Sequence, residues 1–179
     1  QAATLEKDVL FVADVDMTGE AWTPIEGYAK TVRGNGYAIK GLTAPLFAAT
    51  SASFKGVHLE GINIATNDAI TMGALACTIT ATDAVLPKVE NCSVSGTFTV
   101  NNETYAPAKG SVAYGALVGK LLGGVIDGCV NNATVDILKI INNTTSTTIY
   151  CGGVVGMINV FTKSDKSAIY SDVYNSVNY

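Results

Sequence analysis

Apolar residues in this chain come in short runs bracketed by glycine and separated by polar stretches, and they show no helical period. The runs are Gly73-Ala74-Leu75, Gly115-Ala116-Leu117-Val118-Gly119 and Gly152-Gly153-Val154-Val155-Gly156. Each precedes a second element, beginning at Val89, Ile126 and Tyr170 in turn, whose position three later holds Cys92, Cys129 or Val173. A recurring unit of this length predicts a solenoid, in which each coil hides its apolar face against the next.

Aligned on the second element, the coils begin at Phe54, Val89, Ile126 and Tyr170, in steps of 35, 37 and 44 residues. Loops of unequal length account for the irregular step. Position seven carries Gly61, Gly96, Ala133 and Val177, and position nine carries Phe98, Val135 and Tyr179 in the last three coils. With Val100 and Ile137 two further on, this is the alternation of a half-buried strand. In the Phe54 coil, Ile62 and Ile64 fall one place early, which predicts a turn shorter by one residue. Asn101-Asn102-Glu103-Thr104 and Asn142-Asn143-Thr144-Thr145-Ser146 read as projecting loops.

Nearer the amino terminus, Phe11, Ala13, Val15 and Met17 alternate with Val12, Asp14 and Asp16, which predicts one strand with a single face inward. Gly34-Asn35-Gly36 permits positive φ and predicts a tight turn before Ile39 and Leu42. The residues thus predict an all-β solenoid of stacked parallel strands, about five coils and ~24 Å long at ~4.8 Å per coil. The competing fold is a β-sandwich of short antiparallel strands. The apolar stretch Ala113 to Val130 is no helix, since its glycines each cost ~1 kcal/mol in a helix interior.

Composition narrows the classes further. A chain of 179 residues suits one domain over 1–179, and 48% hydrophobic with 15% charged residues excludes a disordered segment. A net charge of −4 and a single arginine, Arg33, leave no electrostatic footprint for a polyanion, so nucleic acid is not an expected partner. Ala113 to Val130 is broken by Lys120, Asp127 and glycines and falls short of the ~20 apolar residues of a membrane span. Cys92 and Cys129 occupy equivalent positions, so they are expected to stack as small buried thiols rather than to bridge. With no CxxC and one histidine, His58, no zinc site or other cofactor is expected.

ADVDMTGEAWTPI from Ala13, RGNGYAIKGL from Arg33, PLF from Pro45 and the GALVG and GGVVG runs together resemble the GLUG-motif type of bacterial surface protein. The resemblance covers most of the chain. Two departures stand out: Arg33 sits where an acidic residue is expected before the GNG turn, and Cys77 replaces the closing glycine of the Gly73 run. The resemblance implies a right-handed parallel β-helix, an extracellular or cell-surface location and an adhesion or surface role; the leading expectation is a non-enzymatic, exported, adhesin-like domain of a larger surface protein. Its partner would be a glycan or a host or bacterial surface protein.

Candidate chemistry is sparse. Trp22, Tyr28 and Tyr37 form the densest aromatic group and are the candidate platform for stacking sugar rings; the competing role is to cover the open end of the first coil. Asp14 and Asp16, two apart, suit Ca²⁺ or acid–base work on a glycan, against a plain role as solvated or loop-binding carboxylates. With Arg33 they are the residues of the alternative reading, a carbohydrate-active β-helix; a structural stalk is the third. His58 alternates with Val57 and Leu59 and is expected to face outward. Asp172 to Tyr179 follows a strand pattern with no polar cap, which predicts end-to-end association or further coils beyond it.

Overall fold

The computed structural model describes residues 6–67, 70–102, 111–140 and 148–179. Among the described residues every regular element is a β-strand. The first sheet contains β1 (Val9–Leu10), β3 (Thr31–Arg33), β6 (Ser53–Lys55), β9 (Lys88–Glu90), β13 (Gly124–Asp127) and β19 (Ser171–Tyr174). The second contains β2 (Val15–Asp16), β4 (Ala38–Lys40), β7 (His58–Thr66), β10 (Ser93–Asn102), β14 (Val130–Ile140) and β20 (Val177–Asn178). A third is built from β5 (Phe47–Thr50), β8 (Ala76–Thr80), β12 (Val118–Leu122) and β16 (Val155–Asn159), and a fourth pairs β11 (Ser111–Gly115) with β15 (Thr148–Gly152). All pairs in these four sheets are parallel. The exception is a hairpin, β17 (Phe161–Thr162) with β18 (Ala168–Ile169). All-β architecture with parallel strands is therefore the fold, and the antiparallel sandwich is set aside.

In chain order the strands alternate between the first and second sheets, one strand further along each time. From β5 onward a third-sheet strand follows each second-sheet strand before the return, preceded twice by a strand of the fourth sheet. The core follows from this register. Val9, Val32, Phe54, Val89, Ile126 and Val173 lie level across the first sheet, all on the inward side. Val32 to Ile126 are buried, whereas Val9 is half-buried and Val173 is 40% exposed, so the core opens at both ends. Each fully buried Val, Ile or Phe contributes ~1.5–3 kcal/mol relative to exposure. Tyr28, Phe47 and Phe54 add an aromatic series with ring centroids 5.6 and 5.1 Å apart.

The corner between the first and second sheets is made the same way each time. Asn35, Gly56, Asn91, Gly128 and Asn175 all have positive φ, between 46° and 62°. Asn and Gly occupy the left-handed region at little cost, which explains their recurrence just after the first-sheet strands. The turn expected at Gly34-Asn35-Gly36 is present, closed by a bond from Tyr37 N–H to Gly34 O of 3.0 Å.

Three expectations are corrected by the register. The single amino-terminal strand is two, because the chain bends between β1 and β2 and sends them to different sheets. Val12, Ala13 and Val15 are consequently exposed. In the last unit Val173, not Tyr170, lies level with Ile126, and Tyr170 is 68% exposed. The β17–β18 hairpin is inserted ahead of this unit. Cys129 therefore lies level with Ser176, whose Oγ accepts from Cys129 N–H at 3.2 Å, and Tyr179 bonds Asn131 O rather than lying level with Val135. The Phe54 unit is longer by one residue, not shorter: Val94 pairs Leu59 while Gly96 pairs Ile62, and the bulge holds Gly61 at φ 57°. Asn101 and Asn102 end strand β10, and the rest of both proposed loops lies outside the described residues.

Cys92 and Cys129 are stacked neighbours, as their spacing implied. Both are buried and free, and Val130 N–H donates to Cys92 O at 2.9 Å. The contact with the Cys129 thiol, with burial, pushes Cys92 far above the usual thiol range. Cys151 alone is exposed. Thiol-specific labelling of the native protein is expected to modify Cys151 first, with Cys92 and Cys129 reacting only after denaturation. Peptide mapping of the labelled sites checks this order.

Candidate functional site

The aromatic trio does not form one platform. Tyr28 is 3% exposed, with its hydroxyl donating to Lys7 O at 2.9 Å, so its ring offers no face to a sugar. Trp22 is half-buried, and its indole N–H donates to Leu46 O at 3.2 Å. Trp22 and Tyr28 line a recess of about 170 Å³ together with Phe11, Met17, Ile25 and Ile39, at the open amino-terminal end of the core. Tyr37 lies apart from that recess, in the turn after β3, and is half-buried.

Asp14 and Asp16 are both exposed, and each satisfies a nearby backbone amide. Asp14 Oδ1 accepts from Ala38 N–H at 2.9 Å, and its Oδ2 lies 2.7 Å from Lys40 Nζ. Asp16 Oδ1 accepts from Thr18 N–H at 2.9 Å. Among the described residues no cluster of three metal-ligating side chains occurs. The bond from Lys40, then that from Ala38, holds the Asp14 carboxyl below the usual carboxylate range. A carboxyl lowered by folding stabilises above that range and loses the contribution as pH falls through its folded-state pKa. Titration followed by NMR is expected to place Asp14 below an ordinary aspartate, and Lys40→Met to move it upward.

His58 faces outward between buried Val57 and Leu59, as expected. Its Nδ1 lies 2.8 Å from Ser93 Oγ on the next strand, a contact that sequence spacing alone did not reveal. The signal was present, since Ser93 follows Cys92 as His58 follows Val57. A Ser–His pair is part of a nucleophilic constellation, which also needs a group orienting the imidazole. Among the described residues no carboxylate bonds this ring.

Arg33 ends β3, exposed, at the corner between the first and second sheets. Lys55 lies level with it on β6. With Leu10, Asn35, Gly56 and Asn91 these two cations line a recess of about 300 Å³. Asp14 and Asp16 do not line it, so the three residues of the carbohydrate-active reading are not gathered at one recess.

No family model matches the chain, and no curated protein matches it. Among solved structures it is similar to a crystal structure, at 1.30 Å resolution, of what is named a putative immunoglobulin A1 protease from Bacteroides ovatus. The identity is 14%, the TM-score is 0.54, and the match covers 98% of this chain and 69% of the other. At that identity the likeness is one of fold alone.

Proposed function

We propose that the chain is a right-handed parallel β-helix of about five coils, of the GLUG-motif type, acting as an exported, non-enzymatic, adhesin-like module at the cell surface. The observation that carries this reading is the cyclic return of the chain to three parallel sheets in register. That arrangement sets outward side chains in ladders one strand apart, suited to an extended partner such as a glycan or a surface protein. The fold shared with the Bacteroides ovatus structure supports the same architecture.

One contact favours a second reading. Ser93 against His58, together with the name carried by the structural neighbour, favours hydrolysis. Incubation with immunoglobulin A1 and with a polysaccharide panel is expected to give no new products. Cleavage that disappears in Ser93→Ala would replace the adhesin reading with an enzymatic one. Screening the purified chain against glycan and surface-protein arrays tests the adhesin reading directly, and binding to neither leaves the stalk.

A further inference from the structure

The outward row at the edge of the first sheet reads Leu10, Arg33, Lys55, Glu90, Asp127 and Tyr174, one residue per strand and in register. Two cations are thus placed side by side on a chain whose net charge is −4. Like charges level on neighbouring strands repel. Among the described residues the ion pairs within 4.0 Å are those of Lys40 with Asp14 and Glu60. Glu90, level with Lys55 on β9, stays beyond that distance. Both cations are exposed, and they share the recess of about 300 Å³. That volume lies at the lower end of the ~300–1,000 Å³ typical of ligand sites.

We propose that Arg33 and Lys55 form a binding site for the carboxylate or sulfate groups of an acidic polysaccharide. The proposal rests on the glycan-binding reading above and names its ligand class. Overall charge argued against a polyanion, but the local pair is what an approaching anion meets. An Arg fork grips a planar anion through two parallel bonds, and Lys supplies a point charge beside it. Adjacent strands set the two backbones ~4.8 Å apart, so both long side chains can reach anionic groups of one polymer. Leu10, 54% exposed at the end of the recess, offers an apolar contact for the carbon face of a ring.

The test measures binding of the full chain to immobilised polygalacturonate, heparin, carboxyl-reduced polygalacturonate, dextran and poly-glutamate at two salt concentrations. The expected result is salt-sensitive binding to polygalacturonate, where carboxylate suffices, or to heparin but not polygalacturonate, where sulfate is required. Arg33→Gln and Lys55→Gln should each weaken it by about tenfold. Lys163→Gln with Lys166→Gln, on the β17–β18 hairpin, should leave it unchanged. Circular dichroism of the variants confirms that these surface changes leave the fold intact. Equal binding to dextran or the carboxyl-reduced polymer overturns the proposal while sparing the glycan reading. Equal loss in the hairpin variant, or Arg33-dependent binding of poly-glutamate alone, also overturns it. Binding to no glycan overturns both.

Discussion

Gly115→Ala is expected to destabilise the protein by about 3 kcal/mol or more, at the upper end of overpacking effects. Gly115 lies level with Gly152 across β11 and β15, where the chain turns tightly toward β12. A methyl group there would run into Val118 O and Gly156 N and lie 2.8 Å from the Val155 carbonyl carbon. All three are backbone atoms of the same stacked turns, so no rotamer change relieves the clash. Gly56→Asn is the contrasting change. Gly56 has φ 57° with open space around it, between asparagines of the same conformation, and the substitution should alter stability by no more than about 0.5 kcal/mol. Urea denaturation of both variants measures the difference. A Gly115→Ala protein with wild-type stability would show that these turns are looser than described.

Phe54→Ala is expected to cost ~3–5 kcal/mol. Phe54 is 1% exposed, lies level with Val32 and Val89, and packs its ring on Phe47. Truncation opens a cavity inside a stack whose neighbours are fixed by their own strand pairing, so collapse is restricted. Leu138→Ala, at a residue 66% exposed, should cost less than about 0.5 kcal/mol. Thermal and chemical unfolding of the two variants, read by circular dichroism, check the contrast. Similar midpoints would mean that Phe54 is not held in a packed interior.

The inward rows were legible in the sequence because side-chain volume is constrained there: Phe54, Val89 and Ile126 align as spaced, and Cys92 stacks on Cys129. Slips arose where length, not volume, decides. The extra residue at Gly61 is absorbed by a bulge that leaves Ile62 and Ile64 inward, so the apolar pattern looks the same whether a residue is gained or lost. Tyr170 and Val173 are both apolar, and only the inserted hairpin decides which of them is level with Ile126. The site was less legible. Tyr28 carries the same ring whether it stacks on Phe47 or on a sugar, and Lys55 joins Arg33 through a pairing made 22 residues apart.

Pairing across such separations governs how the chain reaches this state. Apart from the short hairpin, paired residues are from 20 positions apart, as in Ile39 with Leu59, to 47 apart, as in Ile126 with Val173. Among the described residues no helix or local hairpin seeds the four parallel sheets, and each parallel pair forms only after a loop of that size has closed. Once two levels are in place, a third adds its inward side chains to an existing surface. Folding should therefore be slow to nucleate and then advance level by level, leaving unfinished chains with open strand edges that invite aggregation.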